Sequence, residues 1–432
     1  MAKYSVFWFR RDLRLEDNKG LYYALTEGKN IIPLFIFDTD ITDSLPENDA
    51  RVDFIYHNIS IMEEDLKKKG KHLMVQKGKP AEIFQKLLND YAILSVYTNK
   101  DHEPYGIKRD NEIAGILKEK GVEFKSYLDH LLFDKDEVLK SDDTPYNVFT
   151  PYGKKCSEKL TSEHLKHYQS EEHLNAFAKL ENTKLPRLKD LGFTSPGIDF
   201  PGKNVEDTLM EQYHKTRDYP ARKGTSKLGV HLRFGTVSLR SLARKARKMN
   251  DTFLNELFWR EFYAMILWHY PKVVNDSFKP KYDNIPWRND KDEFEKWKEG
   301  KTGFPIVDAG MRELSSTGYM HNRVRMITAS FLTKHLLIDW RWGEAWFAEK
   351  LLDYELSSNN GGWQWSAGSG CDAAPYFRIF NPSEQQKKFD PKAEYINNWL
   401  PEYITDKYTQ PIVDHKFARE RCLSTFKKAL NA

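Results

Sequence analysis

The strongest constraint on the fold is a rhythm in the first third of the chain. Short apolar runs at residues 6–9, 31–37, 72–75, 93–97 and 122–127 read as strands. Between them, 54–69 and 81–89 read as amphipathic helices. Short apolar strands alternating with helices imply a parallel sheet with helical crossovers, a Rossmann-like α/β domain. The usual dinucleotide fingerprint, Gly-x-Gly-x-x-Gly after the first strand, is absent. Arg10-Arg11-Asp12-Leu13-Arg14 stands there instead.

From 131 to 205 the chain is rich in Pro, Lys and Asp and weakly periodic, which reads as a connector with short helices near 157–167. From 206 onward the pattern is helical. Leu254, Leu257, Phe258, Glu261 and Phe262 fall at helical spacings, as do residues within 324–340. The expected organisation is an α/β domain over 1–130, a connector over 131–205 and an all-α domain over 206–432. A chain of 432 residues can bury two or three cores. The apolar run near 262–268 is too short to span a bilayer, and no secretory signal opens the chain. Cys156, Cys371 and Cys422 are too widely spaced for a disulfide framework or a zinc site. No metal and no membrane partner are expected, and the cytoplasm is the expected compartment. A net charge of +4 is too mild to establish nucleic-acid binding, because a solvated lysine-rich surface gives the same figure. Aromatic residues make up 14%, which points to stacking or, by default, to an aromatic core.

Three segments carry chemistry. Residues 359–382 place Trp363 and Trp365 among glycines, with Asn359, Asp372 and Arg378 close in sequence. Such a segment suits a flat aromatic ligand; its plainer reading is a glycine-rich loop with two core tryptophans. Gly224-Thr225-Ser226-Lys227-Leu228-Gly229 reads as a helix start, with Thr225 and Ser226 able to cap it. Exposed N–H groups there can bind a phosphate, although a simple cap gives the same pattern. Glu256, Trp259 and Arg260 share one helix face, and Asn322, Arg325 and Met326 repeat that spacing. These are polar ligand contacts or a buried salt-bridge network, with Asp353 and Glu355 as partners for the arginines.

Taken in order, these motifs resemble the DNA photolyase/cryptochrome flavoprotein family. They are Phe7 to Arg14, Gly224-Thr225-Ser226, Trp259-Arg260-Glu261-Phe262, Gly303 to Asp308, Met320 to Met326, Asn360 to Trp365 and Asp372 to Pro382. The chain looks most like class I cyclobutane pyrimidine dimer photolyases. The resemblance implies an α/β domain joined to an all-α domain that binds FAD, active as its two-electron-reduced anion. It implies a deoxyribodipyrimidine photo-lyase, a carbon–carbon lyase driven by blue or near-UV light.

By motif, Tyr213, Thr225, Ser226, Lys227, Leu228 and Gly229 would hold the FAD phosphates and ribityl chain. Glu256, Arg260, Asn322, the Arg325–Asp353 pair and Glu355 would line the cofactor, and Asn359 would face flavin N5. Glu355 stands where the family commonly has Asp. Lesion and DNA contacts would be Arg217, Glu256, Trp259, Asn322, Arg323, Met326, Trp365 and Arg378. Glu256 would stabilise the charged pyrimidine, and Trp363, Trp340 and Trp287 would relay an electron between surface and flavin. The implied partner is UV-damaged DNA, single- or double-stranded, met by a monomer.

The resemblance also admits a second, antenna chromophore without fixing its identity. Tyr105 and Gly106 replace the Asn-Glu pair of folate-type sites. Asp101-His102-Glu103-Pro104-Tyr105 is closer to members that bind a deazaflavin or another flavin, and a structural loop with an empty pocket is the plain reading. Two alternatives are a (6-4) photolyase and a signalling cryptochrome. Asn322 and Met326 argue against the first. Trp259 and Trp365, with only one helix-like segment after His415, argue against the second.

Overall fold

In the computed structural model, which describes residues 2–180, 184–405 and 408–431, the early apolar runs pair as one sheet. Its strands are β1 (Lys3–Phe9), β2 (Ile31–Asp38), β3 (Met74–Gly78), β4 (Ala92–Asn99) and β5 (Glu123–Tyr127). They lie in the order β3-β2-β1-β4-β5, all parallel, with Val6 beside Ile32 and Val96. The crossovers carry α1 (Lys19–Glu27), α2 (Ala50–Lys67), α3 (Pro80–Asp90) and α4 (Pro104–Glu119). Side chains alternate across a strand. Val6 and Trp8 therefore pack with Phe84, Leu87, Ile113 and Leu117 of α3 and α4, while Phe7 and Phe9 are buried on the other face. Burial on both faces explains why β1 and β2 read as continuous apolar runs.

Two boundaries differ from expectation. The third strand begins at Met74 rather than 72, because Glu63 of α2 binds the ring of His72 at 2.9 Å and accepts the Leu73 N–H at 2.7 Å. Those groups are spent on the helix before the sheet begins. The helix expected over 157–167 is instead α5 (Phe149–Lys159). Beyond it, the His164 ring accepts the Thr161 backbone N–H at 3.2 Å, and such local bonds compete with a helix.

The chain divides into two compact units. One holds the sheet with Ser157–Asn204 and Lys227–Lys248; the other comprises Leu139–Cys156, Val205–Ser226 and Met249–Ala432. The stretch 131–205 is thus shared between them. Beyond the opening turns of α5, the second unit contains α6 (Asp207–Thr216), α7 (Asp251–His269), α8 (Pro305–Thr317), α9 (Asn322–Ser330), α10 (Trp340–Lys350), α11 (Leu356–Ala367) and α12 (His415–Asn431). The Asn250 side chain caps α7 by accepting the Phe253 N–H at 3.1 Å. The helical pattern over 324–340 breaks after α9. A wider π turn at Phe331–His335 follows, and Leu337 then takes a left-handed φ of 52°. The core of this unit gathers Trp297, Trp340, Phe347 and Trp363.

Candidate active site

Helix α7 buries Leu254, Leu257, Phe258 and Phe262, and turns Glu256, Trp259 and Arg260 to a half-buried face. The Glu256 carboxylate forms an ion pair with Arg217, just past α6. Burial raises the Glu256 pKa, and the Arg217 charge opposes the rise without cancelling it. The Trp259 ring stacks on Phe149 with centroids 3.7 Å apart and planes within 10°. Arg260 does not meet Glu256; it pairs with Glu355 at 2.8 Å. The Ser358 hydroxyl donates to the other Glu355 oxygen at 3.3 Å.

Helix α9 starts at His321, whose ring accepts the Arg323 N–H at 3.1 Å. Asn322 is exposed in its first turn, outside any buried network. Arg325 donates to the Met320 carbonyl at 2.7 Å and to both Asp353 oxygens at 2.9 and 3.1 Å. Arg323 binds Asp218 at 2.8 Å and covers the Phe389 ring at 4.2 Å, with a guanidinium N–H directed at Met326 sulfur, 3.9 Å away. The same unit brings Tyr213 under Arg217, 5.5 Å from guanidinium carbon to ring. It also brings the Thr225 hydroxyl to Tyr319 Oη at 3.2 Å.

Helix α11 carries Asn359, Trp363 and Trp365. The Asn359 amide NH2 donates to the Glu344 backbone carbonyl at 3.1 Å and to its carboxylate at 2.8 Å. Burial raises the Glu344 pKa, and the Asn359 hydrogen bond partly offsets it. Both Asn359 donors are thereby spent on Glu344, and its carbonyl oxygen is left as the acceptor. Trp363 is wedged between Phe347 and Trp297 at 4.9 and 6.0 Å. Arg341 lies over the buried Trp340 ring at 4.7 Å, and Trp287 is half-buried beside Phe426 at 5.8 Å. Trp365 leans on Phe380 at 6.4 Å, and Arg378 covers that ring at 5.8 Å. Next to Arg378, Phe377 is 61% exposed. A shallow pocket beside Trp365 is lined by Tyr263, Asn360, Gly361, Gln364 and Asp372.

The expected helix start at 224–229 differs in detail. The helix is only Gly229–Phe234, its N-cap is Leu228, and no side chain caps it. Lys227, just before that N-cap, takes a left-handed φ of 53°. Lys227, Leu228 and Gly229 belong to the sheet-bearing unit, and Thr225 and Ser226 to the helical one.

In the sheet-bearing unit, a small crevice opens where Arg10, Arg11, Asp12, Asn99, Asp101 and His130 converge. It lies at the carboxyl ends of β1 and β4, where the strand order reverses, the place where open α/β sheets bind ligands. The motif arginines there are paired: Arg10 with Asp110, Arg11 with Asp101 at 3.1 Å and Arg14 with Asp129 at 2.7 Å. The Tyr105 hydroxyl donates to Asp38 at 2.7 Å.

Besides the Glu256–Arg217 pairing, three contacts and one exposed ring escaped the sequence reading. They are Phe149 on Trp259, Glu344 on Asn359, Tyr319 at Thr225, and the exposure of Phe377. Phe149 lies 110 positions before its partner, and no local spacing links the two. Glu344 and Asn359 sit on consecutive helices that pack together. A helical hairpin pairing could have suggested that contact.

The donor set fits FAD. Asn359 offers a carbonyl acceptor with its amide fixed, Arg325 and Asp353 form a two-oxygen clamp, and an added Cβ at Gly362 would meet nothing within 4 Å. The family profile described as the FAD binding domain of DNA photolyase matches residues 253–405, and that of DNA photolyase matches 5–171. A deoxyribodipyrimidine photo-lyase of Synechococcus sp. is 39% identical over 98% of this chain and 96% of its own. This chain belongs to the DNA photolyase family. The deoxyribodipyrimidine photo-lyase of Halobacterium salinarum is 34% identical over 98% of this chain and 99% of that protein. A bacterial class III photolyase from Agrobacterium tumefaciens superposes with a TM-score of 0.89 at 32% identity, covering 100% of this chain and 99% of that one. An archaeal photolyase from Sulfolobus tokodaii, solved with two FAD molecules, gives 0.83 at 35% identity, covering 99% and 100%. Photolyase architecture therefore extends over both units.

Proposed function

We propose that this chain is a deoxyribodipyrimidine photo-lyase that splits cyclobutane pyrimidine dimers in DNA under blue or near-UV light. The observation that carries the reading is Asn359, whose amide NH2 is committed to Glu344 and whose carbonyl remains to accept an N–H from a ligand. A reduced flavin ring offers such an N–H. When bound, FAD supplies light absorption and the loan of one electron. The net reaction breaks two carbon–carbon bonds and leaves no net oxidation or reduction.

The chain's own residues do the rest. Arg325 and Asp353 fix each other and give the ligand a clamped, charged edge. Glu256 stands on the helix face of Trp259, and burial shifts its pKa upward, toward the protonated form in which it can donate to a pyrimidine carbonyl. Trp259 and Trp365 offer flat faces to a base taken out of the duplex, the route by which photolyases, glycosylases and methyltransferases alike reach a base. Arg217, Arg323 and Arg378 meet phosphates, which positions DNA without reading its sequence. Trp363, Trp340 and Trp287 share one aromatic core and relay charge toward solvent. The crevice at β1 and β4 is where a second chromophore would sit.

We further infer a monomer that acts on single- and double-stranded DNA in the cytoplasm. Among the described residues, no helix is long and apolar enough to cross a membrane. The test is light-dependent loss of dimers from an irradiated oligonucleotide with the flavin-reduced protein. Repair in light and none in the dark is expected. Dimer binding without light-dependent repair would sink the reading and leave a signalling role.

A further inference from the structure

The face that Trp259 presents has a back, and the back is built. Phe149 opens helix α5 and stacks on Trp259 almost in plane, 3.7 Å between centroids and 10° between rings. Phe262, fully buried, stands beside the pair, edge-on to both rings: 5.9 Å and 78° from Phe149, 5.8 Å and 87° from Trp259. Tyr152, one turn further along α5 and also buried, packs on the same Phe262 at 5.3 Å. Gly153 makes the room: a Cβ there would come within 3.1 Å of the Phe149 ring. The Phe149 backbone N–H donates to the Asp372 carboxylate at 2.9 Å. Asp372 belongs to the segment that continues into Phe377 and Arg378.

We propose that Phe149 is a positioning residue for lesion recognition, holding the Trp259 plane as a preformed stacking layer and tying it through Asp372 to the loop that carries Arg378. The inference rests on the reading of Trp259 as a lesion contact. A base stacked on the other face of Trp259 would be the third layer of a stack that begins with Phe149 and is braced at its edge by Phe262. Stacking on a fixed ring costs less ordering entropy than stacking on a mobile one. Phe149 acts through Trp259, on which it stacks, so its effect appears in affinity for the lesion and not in the chemistry.

The test measures binding of wild type, Phe149→Leu and Phe149→Tyr to oligonucleotides with and without one thymine dimer. Bound FAD and repair yield per absorbed photon on saturating dimer DNA are measured alongside. Leucine keeps apolar bulk against Phe262 but offers no flat face. Immobilising a side chain on binding has an entropic cost that a preformed stack avoids, so Phe149→Leu should bind dimer DNA about two- to twelvefold more weakly. Its affinity for undamaged DNA, FAD content and yield at saturation should stay at wild-type values, and Phe149→Tyr should restore dimer affinity. Wild-type dimer affinity in Phe149→Leu, an equal loss for undamaged DNA, or failure to fold or hold FAD would each overturn the proposal. A wild type that does not prefer dimer DNA would overturn the functional reading, and this inference with it.

Discussion

Two adjacent glycines in α11 make a sharp test of how this helix is packed. A Cβ on Gly361 would lie within 3.0 Å of three ring atoms of Tyr263, whereas a Cβ on Gly362 would meet nothing within 4 Å. Carbon atoms in good contact sit about 3.5–4.0 Å apart, and the nearest Tyr263 carbon would be 2.1 Å from the new Cβ, so Gly361→Ala forces ring and helix apart by well over an ångström. That ring is hemmed by Trp259 at 5.6 Å and Phe262 at 5.8 Å, so the strain cannot be shed into solvent. Overpacking of this kind costs about 1–3 kcal/mol. Both substitutions gain about 0.5–1 kcal/mol from replacing a helical glycine. That gain is common to both, so the difference in stability between the two variants isolates the packing cost. Gly362→Ala should be more stable than wild type by about 0.5–1 kcal/mol, and less prone to unfold than Gly361→Ala by about 1–3 kcal/mol. Urea unfolding of the flavin-free chains, followed by circular dichroism, gives both numbers. A larger group in the same space, Gly362→Leu, should lower the FAD retained without unfolding the flavin-free chain. Equal stability of the two alanine variants would refute the packing argument, and full FAD retention by Gly362→Leu would remove Gly362 from the FAD site.

Trp287→Phe should slow photoreduction of oxidised FAD and leave repair intact once the flavin is chemically reduced; unchanged photoreduction would show another aromatic route. Glu256→Gln keeps a hydrogen-bond donor and should retain much of the repair yield per photon, while Glu256→Ala should lose more; equal yields would leave Glu256 as a structural partner of Arg217. His335 is buried, bonds to His415 at 2.8 Å and has its pKa lowered to about 3 by burial, with His415 and Arg421 adding to the effect. A lowered pKa on a base means stability that is present above the unfolded value near 6.5 and lost as pH falls toward 3. At about 1.4 kcal/mol per unit, acidification from pH 7 to 5 should cost about 2 kcal/mol through His335. His335→Gln should flatten that dependence in urea unfolding at the two pH values, and an unchanged slope would assign it to other groups.

The sheet is legible because its strands are buried on both faces, so Val6 to Phe9 and Ile31 to Phe37 declare themselves without a partner in view. The start of the third strand is not, because His72 and Leu73 look like strand but are claimed by Glu63, a contact no local pattern reveals. Helix α7 follows from the spacing of Leu254, Leu257, Phe258 and Phe262, all of which are buried. The π turn after Ser330 does not, because an added residue within a helical pattern leaves both halves periodic. At the site, pairings of Arg325 with Asp353 and of Arg260 with Glu355 could be anticipated from the need to neutralise half-buried arginines. The pairing of Glu256 with Arg217 rather than Arg260 could not. It depends on where the end of α6 lies against α7, which is a tertiary fact.

That pairing has a consequence for the proton inventory of binding. One guanidinium cannot neutralise a carboxylate and a phosphodiester at full strength together. If the DNA backbone takes Arg217, as proposed, Glu256 loses the charge that opposes its burial, and its affinity for a proton climbs further. The enzyme–DNA complex would then hold more protons than its separate parts. That uptake is readable as a binding enthalpy that changes with the ionisation heat of the buffer, and it should vanish in Glu256→Gln. Recruitment of the damaged strand would itself charge the acid that the ring-splitting step draws upon.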